Sequence, residues 1–380
     1  MLIMEMFPGR RAWLKQTLQR LAFPVLRRWR SWCGPGPERG GVPRGVFREK
    51  TELEQGRVEG GVMADGQMLP ALREGSEIVA CGLGQAEFAS WAALWTRRDS
   101  AHLVGSSWIH VDAAGRACYE AMYGQQAYGD PVWNPRGGEK AQEFAGDWTS
   151  LGSRWNRGTN YYHWITDGLT RLIYLPFFPA ETGILVPSGM AAFAQDSLKL
   201  LGLWERVRVT EGRHLEIENY WFAGPMVLSG CANPLGMKWL RDVYGLPSEG
   251  GSGHRKIFVS RRGTKRDLTN MNDIERVLAA EGWDVLEPGE LSFREQIETF
   301  RDARVIVGLH GAGMTNLLWA PIGVRVLELM PRTFRNGCYE AISLVLGHRH
   351  EVLLCPADSR GNLILTSDLL QRVLAWGQEG

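Results

Sequence analysis

Three short segments of this 380-residue chain carry residue types that could act on one ligand. In the first, Gly308-Leu309-His310-Gly311-Ala312-Gly313-Met314-Thr315-Asn316 follows the apolar run RVIVG and leads into a helical pattern. The small residues Gly311, Ala312 and Gly313 let a backbone approach a ligand closely, and a helix start offers unpaired N–H groups to an anion. Thr315 and Asn316 add side-chain donors, and His310 adds a polar head at the strand end. The arrangement suits a diphosphate. It is neither the dinucleotide fingerprint nor a Walker loop, since neither spacing occurs here. The alternative is a tight turn that needs glycine for geometry alone. In the second segment, Ser260-Arg261-Arg262-Gly263-Thr264-Lys265-Arg266 follows the strand-like KIFVS. Arginine gives planar, permanent, bidentate positive charge, so Arg261 and Arg266 at a strand end would neutralise a departing diphosphate; the alternative is a solvated basic loop. In the third, Asn160-Tyr161-Tyr162-His163-Trp164-Ile165-Thr166-Asp167 opens a helical pattern. His163 and Asp167 are four residues apart and share a helix face. Histidine titrates in the range of a general base at neutral pH, and a nearby carboxylate raises its basicity. Spacing alone leaves open which of the two takes the proton. It also leaves open a histidine held by its own helix within an aromatic core.

Regular elements must position these segments. After residue 253 the pattern alternates strongly. Strands are predicted at Lys256 to Ser260, Asp284 to Leu286, Arg304 to Gly308, Val324 to Leu329 and His350 to Leu354. Helices are predicted at Asn272 to Glu281, Ser292 to Ala303, from Met314, at Asn336 to Leu346 and at Ser367 to Trp376. Such alternation indicates a parallel sheet covered on both faces, with ligands at the carboxyl ends of its strands. Earlier in the chain, a helix is predicted from His163 to Leu175, a strand at Gly183 to Pro187, a helix at Ala191 to Leu201 and a strand at Arg206 to Thr210. The Gly- and Ser-rich segment Pro247 to Gly253 reads as a connection between domains. The expected division is a basic extension and linker over 1–48, an α/β domain over 49–246 and a ligand-binding α/β domain over 254–380.

Composition narrows the class. A net charge of +1 argues against a dedicated nucleic-acid binder. The six cysteines are scattered with no C-x-x-C pair, which fits neither a disulfide framework nor a zinc site. Within residues 10–32, arginines interleave with Trp13, Leu14, Leu18, Leu21, Val25, Trp29 and Trp32. That amphipathic pattern suits a helix lying on a membrane surface, and equally a tail packed on its own domain. No run of about 18 apolar residues occurs.

Together the segments resemble the family 61 glycosyltransferases. That family's N-x-x-H-x-x-x-D is matched by Asn160, His163 and Asp167, and its S-R-x(4)-R-x(3)-N by Ser260, Arg261, Arg266 and Asn270. Its S-F-x-E-Q is matched by Ser292, Phe293, Glu295 and Gln296, its H-G-A-G-x-T-N by His310 to Asn316, and its V-x-E-L by Val326 to Leu329. Order and spacing agree across residues 160–330; residues 1–150 show no resemblance. The resemblance implies a GT-B-like fold of two Rossmann-like parallel-sheet domains facing a cleft. It implies an inverting glycosyltransferase that takes a UDP-sugar donor and a glycan or lipid-linked glycan acceptor. The expected roles place the donor on Ser260, Arg261, Arg266, His310, Gly311, Ala312, Gly313, Thr315 and Asn316. Glu328 is expected to hydrogen-bond the ribose or donor sugar, Asn160 to lie on the acceptor side, and His163 or Asp167 to act as base. No metal or other cofactor is expected, since the chain lacks the D-x-D pair of metal-dependent sugar transferases. The family's eukaryotic members sit behind a membrane anchor. Without one, this chain is expected to resemble a bacterial member, working in the cytoplasm or peripherally on the inner face of the membrane, in polysaccharide or capsule synthesis and without nucleic acid. An inactive polysaccharide-binding partner of a membrane assembly and a GT-B-fold nucleotide-sugar epimerase are the rival classes.

Overall fold

The computed structural model describes residues 45–48, 52, 54–62, 94–122, 140–153, 155–226, 232–247, 253–334 and 336–378. The amphipathic segment 10–32 and the connection 248–252 lie outside them. Two sheets organise the chain. The first contains β1 (Gly45–Phe47), β2 (Glu59–Val62), β3 (Leu94–Val104), β4 (Ile109–Asp112), β5 (Arg116–Cys118), β6 (Gln142–Ser150), β7 (Gly183–Pro187), β8 (Val207–Thr210) and β9 (His214–Ala223). The second contains β10 (Arg255–Val259), β11 (Trp283–Leu286), β12 (Ala303–Leu309), β13 (Arg325–Pro331) and β14 (Arg349–Cys355).

The second sheet is wholly parallel, in the order β11-β10-β12-β13-β14. Its strands are buried on both sides, and their residues alternate between two cores. Ile257, Val259, Ile306 and Val326 face one core, while Phe258, Val305, Val307 and Leu327 face the other. Helices Met271–Ala280 and Ser367–Gln378 cover the second face. Phe293–Phe300, the 3₁₀ helix Ala312–Trp319 and Cys338–Val345 cover the first. Ser292 caps Phe293–Phe300 in a reciprocal capping box with Glu295, the N-terminus expected from sequence. This strand order is doubly wound. Its direction reverses between β10 and β12, so a crevice opens there at the carboxyl edge.

The first sheet differs from the parallel sheet expected. Its half built from β9, β6, β7 and β8 is parallel. The other half is antiparallel from β9 through β3 and β4 to β5, with β1 added parallel to β5. Connection length explains the switch. The links 105–108 and 113–115 are far too short for the crossover that a parallel pair requires. Gly105 and Gly115 turn there at φ 75° and 76°.

One continuous hydrophobic cluster joins the two halves. Tyr161, Trp164 and Ile165 share it with Phe293, Trp319 and Tyr339. Polar groups inside it are bonded across the junction. The Tyr161 hydroxyl donates to Asn316 Oδ1 at 2.7 Å and accepts from Trp319 Nε1 at 3.0 Å. Buried Arg241 donates to the Leu318 and Ala320 carbonyls at 2.6 and 2.7 Å. These bonds hold the helical segment that begins at Tyr161, and the helix Pro234–Val243 that carries Arg241, against the helices over the second sheet.

Candidate active site

Both basic and glycine-rich loops leave the second sheet at its reversal. Arg261 follows β10 and Gly311 follows β12, and the two strands are hydrogen-bonded neighbours. The loops touch. A Cβ added to Gly311 would lie 1.2 Å from Arg261 Nη1. Gly311 has an extended backbone (φ 173°) that any residue adopts, and the Arg261 guanidinium lies against its α-carbon, so a side chain there would displace the guanidinium. Gly313 is packed less tightly, with room for a Cβ limited by Val259 and Pro288 at 3.0 and 3.2 Å.

The arginines are the unusual feature. Arg261 Nε donates to the Lys265 carbonyl at 3.2 Å, and no described residue takes its terminal nitrogens. Burial, and then the neighbouring Arg266, lower the Arg261 guanidinium from its ordinary value, yet arginine stays charged at neutral pH. Arg266 stacks 4.6 Å from the Phe334 ring centroid, and its buried Nε has no hydrogen-bond partner among the described residues. Its backbone sits at φ 67°, a left-handed conformation that costs an arginine about 1–3 kcal/mol. Neither arginine forms an ion pair among the described residues. Arg262 between them, by contrast, bonds Glu275 and donates to Asn272 at 2.8 Å. Glu287 and Asp267 act on Arg261 only through space, so two adjacent, partly desolvated cations stand without an ion-pair partner among the described residues, where an anionic ligand could bind.

His310 stands beside them, buried, with its ring 5.2 Å from Phe334 and 4.9 Å from Tyr339. Tyr339 lies 5.7 Å from Tyr162, which adjoins His163 at 5.2 Å. A run of rings thus reaches from His163 in the first half to Arg266 in the second. His163 is half-buried and stacked on Trp155 at 6.0 Å, with neither ring nitrogen hydrogen-bonded among the described residues. Burial lowers its pKa from 6.5, while the Asp167 charge pulls it back up. It is therefore neutral at pH 7, the form a base requires.

Asp167 occupies a different environment. The helical stretch runs as one α-turn (Tyr161–His163), a π-turn (Trp164–Gly168) and a 3₁₀ segment (Leu169–Phe177). Asp167, 2% exposed, bonds Arg171 at 3.0 Å and accepts from Ser153 at 2.8 Å. Both oxygens of that carboxylate are therefore already occupied by protein donors. Exposed Asn160 caps this stretch, its side chain accepting from the His163 amide at 3.3 Å.

Four of the residues expected on the donor side are buried. Asn316 is fully buried; Tyr161 fills its oxygen, and its amide donates to Gln296 at 2.9 Å and to the Gly313 carbonyl at 3.0 Å. It braces the turn from behind instead of facing a ligand. Thr315 is buried in the same core. The Ser260 hydroxyl is bonded to Glu287, which also accepts the Arg262 amide at 2.9 Å and so fastens the loop. Glu328 is fully buried, and its two oxygens are bonded to His310 and His350. Burial opposes its ionisation, but hydrogen bonds from both histidines outweigh that and hold its carboxyl below the usual range.

Tyr339, Phe334, Glu287, His350 and Trp155 escaped the sequence reading. Glu287 and His350 carried a signal, because they adjoin or begin predicted strands on the sheet that bears the motifs. The aromatic residues carried none.

Comparison with known proteins agrees with this geometry. Residues 161–327 match the model of the family Glycosyltransferase 61. The chain is also 30% identical over 99 residues to the EGF domain-specific O-linked N-acetylglucosamine transferase of Drosophila melanogaster. That stretch covers 25% of this chain and 19% of the relative's length. The segment that brings His163, Arg261, Arg266 and His310 together is therefore a glycosyltransferase 61 domain.

Proposed function

We propose that the chain transfers a sugar from a UDP-sugar to a hydroxyl of a glycan acceptor, with inversion and without a metal ion. The observation that carries this reading is the pair Arg261 and Arg266, partly desolvated and in no ion pair among the described residues, at the reversal of a parallel sheet. In the proposed step, His163 removes the acceptor proton and the acceptor oxygen attacks the anomeric carbon. The bond from that carbon to the diphosphate oxygen breaks, and its electron pair leaves on UDP. Arg261 and Arg266 stabilise the charge that develops, the role a cation takes in other sugar transferases. Asp167 supports His163 electrostatically while its own oxygens hold Arg171 and Ser153. N-acetylglucosamine is the first donor sugar to test, because the relative's name specifies its transfer.

The test is a donor screen by thermal shift followed by turnover. A UDP-sugar at a hundred times its dissociation constant should stabilise the fold by about 2.7 kcal/mol. With that donor, UDP should be released only when an acceptor glycan is added, should survive EDTA, and should accompany an inverted linkage. Conversion of the donor alone to an epimer would replace this reading with an isomerase. Absence of binding by any nucleotide sugar would remove it.

A further inference from the structure

The loop that follows β13 carries an aromatic ring out toward solvent. Phe334 is 38% exposed, yet two backbone bonds fix where it stands. Its amide donates to the Pro331 carbonyl at 3.0 Å and closes a tight turn. The Arg332 amide donates to the Cys355 carbonyl at 3.2 Å and ties that turn to the end of β14. The guanidinium carbon of Arg266 lies over the ring, 4.6 Å from its centroid, and the His310 ring meets it edge-on at 5.2 Å. Arg266 comes from the loop after β10, which is separated from β13 by β12. Its own loop offers it no carboxylate. Asp267, next in sequence, accepts from the Gly263 and Leu268 amides at 3.0 and 2.7 Å. Arg266 Nε is buried without a hydrogen-bond partner among the described residues, and its backbone is left-handed at φ 67°. The Phe334 ring is thus what the guanidinium rests on.

We propose that Phe334 is a positioning residue for the donor site, holding the Arg266 guanidinium in place before the nucleotide arrives and leaving its N–H groups to the diphosphate. An aromatic face attracts a cation and supplies no oxygen acceptor. The stack therefore orders the charge without using the donors that a phosphate takes. A free arginine side chain loses rotamer freedom when a ligand orders it, and one already held against a ring loses little. A carboxylate at position 334 would order Arg266 as well, but it would compete with the diphosphate for the same donors. Phe334 acts through Arg266 and not through the nucleotide. This assignment rests on the proposed donor site, and it goes beyond that site by giving a half-exposed ring from a distant loop a part in its affinity.

UDP affinity measured by calorimetry on the full chain tests it. F334A should bind UDP about three- to tenfold more weakly, the cost of ordering one long side chain on binding. F334L, which keeps apolar bulk without an aromatic face, should lose as much, and F334Y should restore wild-type affinity. The decisive readout is the cycle with Arg266. In the R266A background, F334A should change UDP affinity by less than about twofold, because the group it positions is gone. An unchanged melting temperature identifies variants fit to compare, and F334L carries the test if F334A does not fold. Wild-type affinity in F334A or F334L overturns the assignment. So does a loss from F334A that persists in full in R266A, which would put the ring on the nucleotide or on His310 instead. Failure of the wild-type protein to bind UDP overturns the donor site itself.

Discussion

Arg171 and Arg261 are both largely withdrawn from water, and their surroundings could hardly differ more. Arg171 is 3% exposed, and every part of its guanidinium is used. It holds Asp167 at 3.0 Å, the Asp167 carbonyl at 3.2 Å and the Ala223 carbonyl at 3.1 Å. Arg261 gives one hydrogen bond to a neighbouring carbonyl, and its terminal nitrogens lie against Gly311 without a protein acceptor among the described residues. Desolvating a cation is costly unless a partner repays it. Around Arg171 the fold supplies that partner. Around Arg261 and Arg266 it supplies a second cation, a glycine turn and an aromatic ring, with Glu287 and Asp267 acting on Arg261 only through space. The comparison separates charge paired within the protein from charge left without an ion pair, although both arginines lie within residues 161–327.

The largest expected effect breaks the comparison on the first half of the molecule. His163→Ala should lower turnover by about 10²–10⁴-fold, typical of positioned proton transfer, and leave UDP affinity nearly unchanged. Because burial lowers the pKa of His163 from 6.5, the acidic limb of the wild-type rate profile should fall below that value, with rate lost as pH drops through it. The histidine variant should lack that limb. Next comes Asp167→Ala, which strands Arg171 in the core. It should cost about 3–5 kcal/mol of stability, read by denaturant unfolding, and the protein that remains folded should still bind UDP. A stable Asp167 variant with collapsed turnover would instead make Asp167 the base.

A smaller effect tests the packing beneath the site. Burial pushes His348 down to about 4 while its Nε2 donates to the Leu317 carbonyl at 3.1 Å. The folded chain therefore resists a proton that the unfolded chain accepts below its ordinary value of 6.5. Its contribution is complete above that pH and is lost as pH falls toward 4, at up to about 1.4 kcal/mol per pH unit. Melting temperatures between pH 7 and 4.5 should show a shallower decline in His348→Gln. The smallest effect is at the junction. Tyr161→Phe removes the hydroxyl's bonds to Asn316 and from Trp319 and should cost about 1–3 kcal/mol, with turnover largely retained in the folded protein.

The second sheet was legible because its strands read as short apolar runs separated by capped helices, and Ser292 announced its own helix. The antiparallel half of the first sheet was not legible, because turns such as 105–108 carry no strong sequence signal while they decide strand direction. Among site residues, Arg261, His310, Gly311 and His163 stood out through residue type and position at element ends. Asn316 and Glu328 stood out equally and proved to be buried supports. A motif reports that a residue is required in a segment; only burial and bonding tell whether it meets the ligand or holds a residue that does. Tyr339 and Phe334 reach the site from a loop and helix distant in sequence, so no local pattern could have placed them.

The central claim is that unpaired charge, rather than charge as such, marks the nucleotide site. Arg261 and Arg262 are adjacent, and only Arg262 is engaged by Glu275 and Asn272. UDP affinity measured by calorimetry for Arg261→Ala and Arg262→Ala tests the claim most directly. Arg261→Ala should weaken UDP by about 1.5–3 kcal/mol, unrelieved by magnesium, and Arg262→Ala should leave it within about 0.5 kcal/mol of wild type. Equal losses in both variants, or none in Arg261→Ala, would contradict it.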